Sequence, residues 1–182
     1  LYLVSGQFKS AEVNFQAALT LEQSSADALI GMARTQVKLV NYPLAEQYFA
    51  RAIQTAPNYS EVHEYYGSYL FLQGKYNHAI DEFKKVILLS SNYGDAYNSL
   101  GAAYFAIGDL QRGIKAFQKS IEINENQEAY SNLGTAFFIE KNFEQAAQMY
   151  QKAIALSPDD YRYWGFLAEA FELEISELRT AA

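Results

Sequence analysis

Two histidines, His63 and His78, and a pair of carboxylates, Asp159–Asp160 beside Ser157, are the side chains whose types could support acid–base, nucleophilic or metal chemistry. Such chemistry needs titratable groups that converge on one point, with ligands or proton carriers within hydrogen-bond reach of each other. Their spacing does not provide that. His63 falls where an apolar helix face expects a core residue, which predicts a packed and hydrogen-bonded ring, and His78 lies on a polar face next to Ala79. Asp159–Asp160 follows Pro158 at a junction between helical segments, where polar residues open the next helix. The stretch GKYNHA lacks the G-x-x-x-x-G-K-[ST] spacing of a phosphate-cradling loop. With no cysteine in the chain there is no thiolate nucleophile, disulfide or thiolate metal site. A noncatalytic protein is expected, with no cofactor and no metal.

Composition narrows the partners. The 182 residues carry 14 basic and 21 acidic side chains, a net charge of −7. Binding a nucleic-acid backbone depends on clustered Lys and Arg to displace counterions, so nucleic acid is not an expected ligand. Half of the residues are hydrophobic, enough for a packed core. No apolar run reaches the roughly 18 residues of a membrane span. The chain begins at Leu1 in what reads as a helix interior, so the sequence is taken as part of a longer protein. Cytoplasm and periplasm both stay open as locations.

The elements that would position any functional residue recur along the chain. Ala11, Ala45, Ala79, Gly113 and Ala146 are separated by 34, 34, 34 and 33 residues. Each is followed four residues later by an aromatic, at Phe15, Phe49, Phe83, Phe117 and Tyr150, and then by apolar or small residues at Ala18–Leu19, Ala52–Ile53, Val86–Ile87, Ser120–Ile121 and Ala153–Ile154. Spacing of i, i+4, i+7, i+8 is one face of an α-helix. A preceding segment repeats as well: Tyr97, Leu100, Gly101 and Tyr104 match Tyr130, Leu133, Gly134 and Phe137, and then Trp164, Leu167, Ala168 and Phe171. Its small residue marks the closest approach to the second helix, so each period is a helical hairpin. Gly6, Gly74 and Gly108 are placed to end first helices, and Asn41, Asp109 and Asn142 to cap second ones. Pro57 and Pro158 close second helices, while Pro43 suits a first turn.

This pattern resembles the tetratricopeptide repeat (TPR), in which an aromatic, a Leu-Gly pair, an aromatic, then Ala, aromatic, Ala and Pro recur over about 34 residues. Departures are local: Leu29 and His63 stand for the leading aromatic, Gln36 for the later one, and Gly113 for the small Ala. The resemblance implies an all-α fold, an α-solenoid of helix-turn-helix repeats wound into a right-handed superhelix. The expected organisation is one continuous array: a second-helix half at 1–25, complete repeats at 26–59, 60–93, 94–126 and 127–160, and a first-helix half or capping helix at 161–182.

By the same resemblance, a second stripe on each first helix lines a concave groove that receives a peptide or helix. It comprises Asp27, Ile30, Arg34 and Val37; Glu61, Glu64, Ser68 and Phe71; Asp95, Asn98, Ala102 and Phe105; and Glu128, Ser131, Thr135 and Phe138. Stacked laterally, these give an acidic ladder through Asp27, Glu61, Asp95 and Glu128, and an aromatic one through Phe71, Phe105 and Phe138. A partner both basic and apolar would suit them. Each ladder has a second reading. Acids in a first turn are favoured by the helix dipole by about 0.3–1 kcal/mol without any ligand, and the Phe rings could pack between adjacent first helices. The stripe holds one base, Arg34, so it does not match the Lys, Asn and Arg clamp that related modules use on chaperone tails. Asn132, with Asn98 one residue off register, only weakly echoes the asparagine ladder of arrays attached to sugar-transferring enzymes. Two alternatives accompany the scaffold reading: a regulatory or sensing module of a larger bacterial signalling enzyme or transcription factor, and a homodimer formed through the terminal half-repeats, at Trp164, Phe171 or the Leu1 to Val4 edge.

Overall fold

The computed structural model describes residues 7–181, and among them ten α-helices follow one another without a strand. In order they are α1 Phe8–Leu21, α2 Ala26–Lys38, α3 Tyr42–Thr55, α4 Ser60–Leu72, α5 Tyr76–Leu89, α6 Gly94–Ala106, α7 Leu110–Ile123, α8 Gln127–Ile139, α9 Phe143–Leu156 and α10 Tyr161–Ala181. The chain divides into two compact units, Leu1–Ser91 and Asn92–Ala182. Within the first, α1 packs on α2, α2 on α3 and α4 on α5; within the second, α6 packs on α7, α8 on α7 and α9, and α10 on α9. Gly6 and the Leu1 to Val4 edge lie outside the described residues.

The helices start and stop where the chain chemistry dictates. Asp27, Glu61, Asp95 and Glu128 occupy the first turns of α2, α4, α6 and α8, against the positive end of each helix dipole. Asp109 and Asn142 cap α7 and α9 by accepting from the amides of Arg112 and Gln145 at 3.1 and 3.2 Å. Asn41 stands at the N-cap of α3, but its side chain makes no cap hydrogen bond, and Pro43 sits in the first turn behind it. The hairpin turns need a left-handed residue, which Gly74 and Gly108 supply at φ 71° and 80°. Val40 and Lys141 adopt φ 60° at the matching places without that freedom.

Knob-and-hole packing joins each hairpin. A Cβ added to Gly67, Gly101 or Gly134 would stand 2.8, 2.6 or 2.7 Å from the rings of Phe83, Phe117 and Tyr150, so these rings occupy the space a larger residue would need. In the first unit the core gathers Leu19, Leu29, Ile30, Met32, Ala52 and Val62. In the second, Ile114, Phe117, Leu133 and Ala136 form one cluster and Tyr130, Ala146, Tyr150, Tyr163, Leu167 and Ala170 another. Gln36, which replaces an aromatic, is buried and donates to Glu12 of α1 at 2.8 Å.

In α10 the repeat's first-helix positions divide between core and surface, as expected of a half-repeat with no second helix of its own packed on it among the described residues. Tyr163, Leu167 and Ala170 are buried against α9, while Trp164 is 52% and Phe171 40% exposed. In α8 the matched residues Tyr130 and Phe137 lie in or against the core that α9 helps to build. No helix among the described residues fills that role for α10, which packs on α9 through the positions 34 residues on from buried Ala129, Leu133 and Ala136 of α8. At 21 residues it also outruns the 13 of each preceding first helix.

Candidate interaction surface

The second stripe of α2 and α4 does not stand free in solution as a row of separate side chains. Asp27, exposed at the start of α2, accepts a hydrogen bond from the Tyr59 hydroxyl at 2.9 Å, and that bond holds the Tyr59 phenol above its ordinary range. Arg34 lays its guanidinium 4.2 Å from the centre of the Tyr65 ring on α4, a cation–π contact between neighbouring first helices. Ile30, expected on the same stripe, is 4% exposed and belongs to the core. Glu61, Glu64 and Ser68 are half-buried. The half-buried Phe71 meets the ring of Tyr76, at the start of α5, edge-on at 5.2 Å.

In the second unit, Asp95 and Glu128 are exposed at the starts of α6 and α8. Asn132 donates to the side-chain oxygen of Asn98 at 3.0 Å, bracing α8 against α6. Phe105 packs against the cluster of Ile114, Phe117, Leu133 and Ala136, and Phe138 lies 5.3 Å from Phe143. Each of Phe71 and Phe138 thus contacts the aromatic that opens its own second helix. Thr135 donates to the carbonyl of Ser131 at 3.0 Å and lies 3.2 Å from the Tyr150 hydroxyl.

Between α8 and α10 lies a cleft of about 330 Å³ lined by Glu128, Ser131, Asn132, Thr135, Arg162, Tyr163 and Phe166. Arg162 is already paired: its guanidinium binds Asp160 at 2.6 and 2.9 Å and draws that carboxyl below the usual carboxylate range. Sequence reasoning did not single out Tyr59, Tyr65, Arg162, Tyr163 or Phe166. One signal was available, since a further 34 residues from Glu128 lands on Arg162, where the acidic ladder changes sign.

Elsewhere, the residues considered for chemistry are structural or solvated. His63 is 3% exposed, with Nδ1 2.7 Å from the Glu82 carboxylate and Nε2 2.8 Å from the Pro57 carbonyl. His78 and Asp159 are exposed. No group of three or more His, Cys, Asp or Glu among the described residues is arranged to hold a metal ion. No helix among them is long and apolar enough to cross a membrane.

Three tetratricopeptide repeat family models match the chain, at residues 2–66, at 67–108, and at 94–127 with 128–160. No curated protein sequence matches it. Among solved structures, PilF of Pseudomonas aeruginosa superposes with a TM-score of 0.84 at 22% identity, covering 95% of this chain and 81% of that one. A thermophilic TPR protein of Thermus thermophilus gives 0.75 at 20% identity and covers 93% of both chains. The first TPR of Spaghetti (RPAP3), solved with the HSP90 peptide SRMEEVD, gives 0.60 at 24% identity over 62% of this chain and 90% of that one. These likenesses establish the fold, which is generally a non-enzymatic scaffold for binding proteins or peptides.

Proposed function

Because the chain belongs to the tetratricopeptide repeat family, we propose that it is a noncatalytic scaffold whose repeats, 26–59, 60–93, 94–126 and 127–160, form one array that holds a peptide or helix of a partner protein against its first helices. The observation that carries this reading is the set of first-turn acids on that face. Asp95 and Glu128 are exposed, Glu61 is half-exposed, and Asp27 keeps its carboxylate at the surface beside Tyr59. A basic partner segment would meet one sign of charge along the stripe, with half-buried Phe71, Phe105 and Phe138 offering apolar edges beside it. Cross-braces such as Arg34 on Tyr65 and Asn132 on Asn98 pre-organise the surface, which lowers the entropy lost on binding. The binding step involves no covalent chemistry.

The test is affinity capture from native extract with the wild type, an Asp95→Lys and Glu128→Lys double variant, and an outer-face control, Lys115→Glu. Capture lost from the double variant and kept by the control supports the reading. A partner retained by the double variant at equal helicity refutes it. Exposure of Trp164, Phe166 and Phe171 on α10 favours a second reading, self-association through that face. Sedimentation equilibrium showing a monomer across the accessible concentration range removes it.

A further inference from the structure

The cleft between α8 and α10 combines side chains that pack the fold, such as Tyr163 and Phe166, with polar groups at its opening. Ser131 is 7% exposed and lines the cleft, and no fully buried side-chain oxygen or nitrogen among the described residues lacks a partner. A hydroxyl in a cleft wall can accept a hydrogen bond from a cationic group that enters it. Glu128 stands at the rim with an exposed carboxylate. The cation opposite, Arg162, is neutralised by Asp160 at 2.6 and 2.9 Å, so Glu128 sets the net sign of the site. Phe166 and Tyr163 provide aromatic wall, one ring 40% exposed and the other buried.

We infer that this cleft is the anchor subsite for a single lysine or arginine side chain of the bound partner segment, an inference that rests on the groove reading above. The aliphatic stem would lie along Phe166, as the stems of long basic side chains do on apolar surface. The cationic head would reach the Glu128 carboxylate and the Ser131 hydroxyl, with the aromatic faces adding cation–π attraction. The volume of about 330 Å³ leaves space for one such side chain and the water around it.

The test titrates the whole chain with Ac-Ala-Lys-Ala-NH2 and Ac-Ala-Arg-Ala-NH2, followed by amide shifts in ¹H–¹⁵N spectra, alongside the same peptide carrying Nε-acetyl-lysine or glutamate. Expected are saturable shifts at Ser131, Asn132, Thr135 and Phe166 for the two basic peptides and none for acetyl-lysine or glutamate. Glu128→Gln should weaken the basic peptides by about three- to fivefold, the scale of one partly exposed ion pair. Glu122→Gln on α7 should leave them unchanged, and both variants should keep the wild-type spectrum away from the substitution. Equal binding of acetyl-lysine, preferential binding of glutamate, or shifts indifferent to Glu128→Gln would overturn the inference. The groove reading is scored separately. If the basic peptides miss the cleft while Asp95→Lys alone still abolishes partner capture, the subsite fails and the groove stands. If capture ignores Asp95→Lys, the groove reading fails whatever the peptides do.

Discussion

Replacing His63 by Phe restores the aromatic that the repeat pattern expects at that place, yet it should destabilise the protein. The ring is buried between two acceptors, the Glu82 carboxylate at 2.7 Å and the Pro57 carbonyl at 2.8 Å. A phenyl ring donates to neither. Leaving a buried polar group without its hydrogen-bond partner costs about 1–3 kcal/mol, and more for a charged group. Here Glu82 keeps Lys85 at 2.8 Å on its other oxygen, and its side chain retains 10% exposure, so relief is partial. The expected loss is about 2–4 kcal/mol for His63→Phe. Glu82→Leu should cost less, about 1–3 kcal/mol, because His63 keeps its bond to Pro57. The double variant should fall within about 1 kcal/mol of wild type, since an apolar pair of similar volume replaces the polar one and leaves no orphaned carboxylate. Urea unfolding followed by circular dichroism at 222 nm, with m-values compared across the four proteins, gives the coupling. Additive losses, or a His63→Phe variant as stable as wild type, would refute the account of this network.

Two further predictions follow from backbone strain and from charge. Val40, β-branched, 66% exposed and left-handed at φ 60°, occupies the place of Gly74 and Gly108, so Val40→Gly should raise stability by about 0.5–1 kcal/mol, the strain relieved less the added chain entropy, and an unchanged or lower urea midpoint would contradict it. Asp109 caps α7 and binds Arg112, which holds its carboxyl below 3.8 in the folded state; its contribution is therefore present above that value and lost as pH falls through the lower folded one. Wild type should thus lose more melting temperature between pH 5 and roughly pH 2.5 than Asp109→Asn does, and parallel curves would sink the assignment.

Much of the local fold was legible because its cause is local. The 34-residue recurrence of small residue and aromatic marks where rings such as Phe117 fill the space beside Gly101, and a glycine after each of two helices marks the left-handed turn. Val40 and Lys141 were not legible as turn residues, because neighbouring structure imposes their conformation against their own preference. His63 was legible as a packed, hydrogen-bonded side chain, but its partners Glu82 and Pro57 lie on other segments and no spacing rule names them. The stripe was legible as a set of helix positions, whereas its contacts were not. Whether Asp27 meets Tyr59, or Asn132 reaches diagonally to Asn98, depends on the offset between adjacent first helices, which tertiary packing sets. Ile30 shows the same limit: helical periodicity put it on the stripe, and a neighbouring helix buried it. The open side of α10 was legible, since a first helix without its second helix leaves Trp164 and Phe171 exposed, whereas Tyr163 and Ala170, buried on α9, were not, because the match between repeats marks only the Trp164 stripe.

The claim at the centre of this account is that the partner lies on the stripe of the first helices. The most direct measurement is photo-crosslinking in the native host, with p-benzoylphenylalanine placed at Ser68 and Thr135 on that stripe and at Gln118 and Lys152 on exposed parts of second helices. Adducts of one common protein from Ser68 and Thr135, absent from Gln118 and Lys152, are the predicted result. Adducts from Gln118 and Lys152, with none from the stripe, would move binding to the outer face and contradict the account.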